Sequence, residues 1–328
     1  MYQGRGVIVF FALLLLAAAV SLPSCSRADE PDKDRKLTVA LVVKMKHGDF
    51  WRTVKLGAES AAKEQDVNLN FYAPDYEEDA KGQLALVRQA LRDGADAMIL
   101  APNDPSVLAE VLAITKQGGA NFPVITMDSS YTSPELKSVV GTDNLEAGKQ
   151  AAEKLIDFVE SQGRIVVLGT SSGAMYNGQR EQGVLGVLDQ RDRNDQVVKA
   201  YSLNDAKSAA EKLRQLLQEY GDLRGIVALN AALAVGAAEE IQQQGLEGKV
   251  KLVAIDSPPE VLEFLQEGVI QATVIQKPFS MGYLGVTYAV EAWRGKTIPG
   301  RVDTGTKVID LENMFWSENQ KLLFPFVK

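Results

Sequence analysis

From Lys36 onward the chain alternates short runs of Val, Ile, Leu and Ala with longer segments of helical period, and few folds accept that alternation. The clearest runs are LTVALVV, DAMILAP, PVITMD, RIVVLGT, GIVALN, KLVAID and ATVIQ. Each is nearly continuous in apolar residues, as strands covered on both faces tend to be. Amphipathic helices lie between them. In DPSVLAEVLAITKQGG, Asp104 suits the N-cap and Pro105 the first helical position. Val107, Val111 and Ile114 follow at core spacing, and Gly118 ends the element. DAKGQLALVRQALRDG repeats the plan with Leu84, Val87 and Leu91. Repeated strand–helix units predict an α/β fold with a parallel sheet wound on both faces. VITMD at 124–128 resembles LVAID at 252–256, and MILAPND at 98–104 resembles IVALNAA at 226–232, which points to two similar lobes.

The start of the chain is of another kind. Arg5 precedes an apolar run, Val7 to Val20, that is shorter than the roughly 20 residues a membrane-spanning helix needs. It fits the h-region of a secretory signal. The run ends in Leu22-Pro23-Ser24-Cys25, and Cys25 is the only cysteine, so no disulfide can form within the chain. A plain signal peptide is one reading. The other is a bacterial lipoprotein: Leu22, Ser24 and Cys25 resemble a lipobox, although Pro23 is less usual there. On that reading residues 1–24 are removed, Cys25 is acylated, and the charged stretch at 25–35 is a tether, since charged linkers extend. The expected location is extracytoplasmic, lipid-anchored to the cell membrane.

Composition narrows the chemistry. A net charge of -8 argues against nucleic acid as the main partner, because a phosphate backbone calls for a basic face. GTSSG, residues 169–173, matches the G-x-S-x-G nucleophile elbow and follows a strand. That motif needs a histidine later in the chain, and the sole histidine is His47, so Ser171 stays a weak nucleophile. One histidine and one cysteine do not make a His/Cys metal centre. No phosphate loop of the G-x-x-x-x-G-K-[ST] type is present, and no G-x-G-x-x-G follows the first strand. Asp128 and Asp256 leave a glycosidase pair open, since their separation is not readable from sequence. No feature of the sequence marks either one as the acid of such a pair. The expectation is a binding protein with no cofactor and no metal, and no enzyme.

In doubly wound sheets, ligands sit beyond the carboxyl ends of the strands. There this chain places Lys44, Phe50 and Trp51, then Asn103 and Asp104, Asp128 and Ser129, and Thr142 and Asp143. Arg180, Asn204, Asp205, Asn230, Asp256 and Gln276 occupy the later strand ends. Any one of them is ordinarily a turn or a cap. As a set, Asp, Asn, Arg and Gln supply planar groups suited to paired hydrogen bonds. KMKHGDFW adds two rings beside polar groups, the combination a sugar needs: C–H faces on an apolar wall, hydroxyls on placed polar atoms. Alternatively, both rings cap the following helix and face the core.

From about Lys36 to Val308 the ordered set FW, PVITMDSS, VVGTDNLEAGKQAAEKL, GQREQGVLGVL, IVALNAALAVGAAEEIQQQG, LVAIDSPPEVLEFLQEGVIQATVIQKP and MGYLGV resembles the type I periplasmic sugar-binding proteins, the group of ribose-, galactose- and allose-binding proteins. The resemblance implies two doubly wound lobes joined by a three-crossover hinge and closing on a sugar. Lobe I would hold 36–142 plus 277–303, and lobe II 143–276 plus 304–328. It implies that Phe50 and Trp51 stack on the sugar, that Asp128 and Asp256 accept from hydroxyls, and that Arg180, Asn230 and Gln276 donate. A monomer passing a monosaccharide or related polyol to an ABC permease is the function implied; a sensory subunit signalling to a sensor kinase or chemoreceptor is the alternative. The effector domain of a LacI-type repressor shares the fold but would need a DNA-binding helix pair where the signal stands.

The chain departs from the ribose-binding pattern at several places. Lys44 stands for a small polar residue, Ala101 for a ligand-facing Asn, Ser129 for an Arg, and Asn204 for an aromatic. These changes put ribose itself in doubt. Lys44 either selects an anionic ligand or neutralises Asp128 or Asp256. Beyond the resemblance, ENMFWSENQKLLFPFVK carries Phe315, Trp316, Phe324 and Phe326, which either pack across the second lobe or form a contact patch.

Overall fold

The computed structural model describes residues 35–117, 122–129, 131–159, 163–171 and 175–325. The expected signal, Cys25 and most of the tether lie outside these residues, as do Gly118, Ser172, Gly173 and Phe326. Residues from Leu37 onward fall in a single compact unit.

The first sheet collects β1 (Thr38–Val42), β2 (Asn68–Tyr72), β3 (Ala97–Leu100), β4 (Val124–Met127), β5 (Ser138–Gly141) and the late strand β11 (Arg301–Asp303). Their order is β11-β5-β4-β3-β1-β2, all parallel. The second sheet collects β6 (Arg164–Thr170), β7 (Val197–Ser202), β8 (Leu223–Ala228), β9 (Lys251–Ile255), β10 (Ala272–Ile275) and β12 (Lys307–Asp310) in the order β12-β10-β9-β8-β6-β7. Only β12 runs antiparallel to its neighbour. Helices α1 (Asp49–Gln65), α2 (Ala80–Arg92), α3 (Pro105–Gln117) and α9 (Pro278–Trp293) flank the first sheet. Helices α4 (Asn144–Ile156), α5 (Met175–Gln190), α6 (Ala206–Glu219), α7 (Ala231–Gln243) and α8 (Pro259–Gln266) flank the second, and the short α10 (Ser317–Leu323) follows. The fold is α/β with doubly wound, mostly parallel sheets. The described chain passes between the sheets after β5, after β10 and between β11 and β12.

Two cores per sheet explain the unbroken apolar runs. Along β1, Val39 and Leu41 join the core under α1 and α9, while Ala40 and Val42 join the core under α2 and α3. Along β9, Leu252 and Ala254 serve one face, Val253 and Ile255 the other. The strands missing from the sequence reading are edge strands. β2, NLNFY, is fully buried only at Tyr72, and β11 and β12 have three and four residues. The helix faces also differ in detail from expectation. Val87 is buried as expected, but Leu84 and Leu91 are half-buried, and Gln83 takes the core position instead. Gln83 is fully buried because its amide donates to the Val43 and Ala101 carbonyls and accepts from the Asn103 N–H, tying together the ends of β1 and β3.

In each lobe glycines let paired helices touch backbone to backbone, and in the second Gly236 of α7 also faces the Ala206 carbonyl of α6. In the first, Gly57 of α1 faces the Phe279 carbonyl and Gly282 of α9 faces the Val54 carbonyl. In the second, Gly148 of α4 faces the Arg180 carbonyl and Gly183 of α5 faces the Leu145 carbonyl. A Cβ at any of these glycines would fall inside its opposing carbonyl group. Gly148→Ala should therefore push α5 away and cost about 1–3 kcal/mol, the usual penalty for overpacking. Gly186→Ala, in the same α5 but facing open space, should instead stabilise by about 0.5–1 kcal/mol. Urea midpoints of the two variants check both signs.

Candidate functional site

The strand ends of both sheets open on one cleft of about 590 Å³. Its walls include Lys44, Phe50, Trp51, Asp128, Arg180, Asn204, Asn230, Asp256 and Gln276, so nine of the ten expected ligand residues come together there.

Two aspartates stand at equivalent places. Asp128 ends β4 and Asp256 ends β9, and both have positive φ, 61° and 80°. Each also sends its N–H to the neighbouring strand, to the Val140 and Val274 carbonyls. A left-handed backbone is uncommon outside glycine, and where it persists the surroundings hold it there. The repeat VITMD/LVAID is thus a repeat of geometry.

Each carboxylate has a buried cation. Lys44, 5% exposed at the end of β1, places Nζ 2.8 Å from Asp128 Oδ2 and 3.5 Å from Glu77 Oε1. Burial opposes the lysine charge, but Asp128 and Glu77 outweigh it and hold the lysine pKa above its ordinary value. Burial raises the Glu77 pKa, and Lys44 offsets only part of that. In the second lobe Arg180, 3% exposed, donates from Nε to Asn144 Oδ1 at 2.9 Å and from Nη1 to the Leu229 carbonyl at 2.7 Å. Its Nη1 lies 3.6 Å from Asp256 Oδ2. The Arg180 fork is thus fixed by the crossover helix α4 and the end of β8.

Gln276 reaches both the site and the hinge. It donates to Asp256 Oδ1 at 2.6 Å and accepts from the Thr142 hydroxyl at 2.7 Å, which joins two of the three crossovers. Asn230 caps α7 by accepting from the Leu233 N–H at 3.0 Å, and its amide donates to Asn204 Oδ1 at 2.9 Å. Asn204 therefore presents an amide where the resemblance implied a ring.

The aromatic side departs further from expectation. Phe50 and Trp51 meet edge to face, 5.0 Å apart at 83°. Trp51 is only 6% exposed and belongs to the core under α1 and α9; Phe50 is half-buried and the more open of the two. The reason is their place at the first turn of α1, where consecutive side chains point about 100° apart and one of them turns to the sheet. Ser129 is absent from the cleft. The left-handed turn at Asp128 sends the next side chain inward, and the Ser129 hydroxyl lies 3.4 Å from the Pro102 carbonyl, to which it donates. Ser171 is also outside, its hydroxyl donating to the Ser202 carbonyl, while His47 lines the cleft. Among the described residues, no three His, Cys, Asp or Glu groups are placed to hold a metal ion.

Several lining elements have no counterpart in the sequence reading of the cleft. Glu77 comes from the loop after β2, an edge strand with no apolar run to announce it. Tyr176, at the start of α5, lies under both cations: Lys44 Nζ is 5.2 Å and Arg180 Cζ 5.1 Å from its ring centre. Burial and the Glu77 charge push its hydroxyl pKa up to about 12. A further element is Leu322 to Pro325, in which Phe324 packs against the core of the second lobe. Phe315 and Trp316 stay exposed.

The chain as a whole is similar to known proteins in sequence and in fold. Residues 39–297 match the family model described as a periplasmic binding protein domain. The ribose import binding protein RbsB of Bacillus subtilis is 25% identical over 310 residues, covering 94% of this chain and 99% of its own. A solved ABC transporter solute binding protein from Agrobacterium vitis, bound with α-D-tagatopyranose, superposes with a TM-score of 0.79 at 27% identity, over 88% of this chain and 99% of that one. GanP, a glucose-galactose binding protein from Geobacillus stearothermophilus, gives 0.78 at 28% identity, over 86% and 99%. With the family model spanning most of the chain and the two-lobed architecture in common, this protein belongs to the periplasmic binding protein domain family, among its type I sugar-binding members.

Proposed function

We propose that the cleft captures a neutral monosaccharide or related polyol, and that the chain delivers it to an ABC importer. The observation that carries this reading is the pair of left-handed aspartates facing one cleft, each already balanced by a buried cation. Hydroxyls bind well to such groups, since charge-assisted hydrogen bonds contribute roughly 1.5–3 kcal/mol each. Micromolar affinity, about -8 kcal/mol, is within their reach. Phe50 supplies the apolar wall. Support also comes from the relatives, which carry ribose import, tagatose and glucose-galactose binding in their names.

The charges argue for a neutral ligand. Lys44, Arg52 and Arg180 line the cleft with Asp49, Glu77, Asp128 and Asp256, and Arg52 pairs with Asp49 at 2.7 Å. A sugar acid would enter a site where four carboxylates already face three lysine and arginine side chains. This favours the reading in which Lys44 neutralises Asp128 over the one in which it selects an anion. Acylation at Cys25 would complete the reading by keeping the protein at the outer face of a membrane; several acyl chains anchor stably where one does not.

Thermal unfolding against pentoses, hexoses, polyols, cyclitols and sugar acids tests the ligand class. A ligand at 100 times its Kd adds about 2.7 kcal/mol, enough to raise Tm by several degrees. The expected shift comes from a neutral compound, and a shift from sugar acids alone would overturn the proposal. Lys44→Met leaves Asp128 and Glu77 without their cation and should destabilise the chain by about 3–5 kcal/mol, weakening every neutral ligand alike. Cys25→Ser should move the protein from the membrane fraction to the soluble fraction of its cells; retention in the membrane would remove the lipid anchor from the proposal.

A further inference from the structure

The polar groups of the cleft form two clusters, Lys44 with Asp128 and Arg180 with Asp256 and Gln276, and the Tyr176 ring lies near both cations. Beyond them the wall changes character. Asp256 is followed by Ser257, Pro258 and Pro259, then by Leu262 on α8, and these lie in the same cavity as Leu322, Leu323, Phe324 and Pro325. Leu262 and Leu323 belong to one apolar cluster of the second lobe, and Phe324 packs against it. None of the prolines, leucines or the phenylalanine offers a side-chain hydrogen bond to a hydroxyl.

This wall is anchored. Met314 and Asn319 are fully buried. The Asn319 amide donates to the Asn313 carbonyl at 2.9 Å, and the Gln320 amide to the Met314 carbonyl at 2.7 Å. The Phe324 N–H closes the segment on the Gln320 carbonyl. So the last described residues are built into the cleft rather than resting beside it. Even so, Leu322 remains 39% exposed and Phe324 half-buried. A binding cavity that keeps apolar side chains open next to its polar groups is suited to a ligand with both characters.

We infer that the ligand is a glycoside with an apolar aglycone, its sugar hydroxyls on Asp128, Arg180, Asn230 and Asp256 and its aryl or alkyl group on the wall of Pro258, Leu262, Leu322 and Phe324. This rests on the sugar-binding reading above and makes the neutral monosaccharide of that reading the sugar unit of a larger ligand. A bare monosaccharide has only hydroxyls and short C–H faces to present, and Phe50 already serves the latter. Pro258 follows Asp256 by two residues and lines the same cavity as the C-terminal segment, so an aglycone has both within that cavity.

The test is calorimetric titration of the full chain with matched methyl and phenyl glycosides of ribose, glucose and galactose, and with the free sugars. For the sugar that binds, the phenyl glycoside should bind about tenfold tighter than the methyl glycoside, the gain expected from covering one face of a ring. Leu322→Ser, at an exposed position where folding is not at stake, should bring that ratio close to one, and Phe324→Ala should do the same. Trp316→Ser, outside the cleft, should keep it. Equal affinity within the pairs, or a ratio unmoved by Leu322→Ser and Phe324→Ala, overturns this inference and leaves sugar binding standing. Silence from every compound, free sugars included, overturns the sugar reading as well.

Discussion

The structure depends on charge balance at two buried strand ends. A carboxylate taken from water costs several kcal/mol unless it finds a partner, and breaking a buried pair costs more than the pair contributes. Asp128 and Asp256 meet that condition from opposite sides of one cleft. Lys44 arrives from the end of β1, two strands away in the same sheet and already desolvated, and Arg180 arrives from α5 with its fork held by Asn144 and the Leu229 carbonyl. The carboxylates keep oxygen lone pairs available while their charge is offset. That suits recognition of hydroxyls, which need strong acceptors and do not bring a counter-ion.

The glycine contacts serve the same end. Gly148 lies against the backbone of Arg180 itself, so the approach of α4 to α5 sets the height of the guanidinium over the cleft. In the first lobe the Gly57 and Gly282 contacts bring α9 against α1, the helix whose first turn carries Phe50 and Trp51. α4 and α9 are also the helices that begin directly after crossovers. Helix packing, hinge and binding residues are thus parts of one construction. Gln276 adds a direct link, because a ligand that displaces or strengthens its bond to Asp256 acts on Thr142 across the hinge. An energy difference of this kind between open and closed forms is what a ligand needs in order to shift their populations.

Much of this was readable before the structure. Strands buried on both faces have to be apolar without interruption, so β1, β3, β4, β6, β8, β9 and β10 announce themselves, and the residues after them mark the cleft. Asp128, Asn230, Asp256 and Gln276 stand just after strands, so that rule places them at the cleft, whereas Arg180, inside α5, was singled out with the help of the family resemblance. The rule is blind at sheet edges: β2 alternates weakly, and Glu77 in the loop after it went unnoticed. It also treats every residue after a strand as facing the ligand, which fails at Ser129, one position beyond a left-handed turn. Trp51 shows the same limit, since adjacent aromatics on a helix cannot both face one side.

The sequence by itself determined the α/β class, the two similar halves and the polar set at the strand ends, because period and burial leave a local trace. It also fixed the absence of a histidine late enough to activate Ser171. Only the tertiary structure decided which charges meet. Lys44 with Asp128, Arg180 with Asp256, and Tyr176 with Lys44 join residues dozens of positions apart, and no spacing encodes such contacts. The same holds for the C-terminal segment, whose aromatics could have lain anywhere on the surface. Packing Met314 and Leu323 into the second lobe is what brings Leu322 and Phe324 to the wall of the cleft.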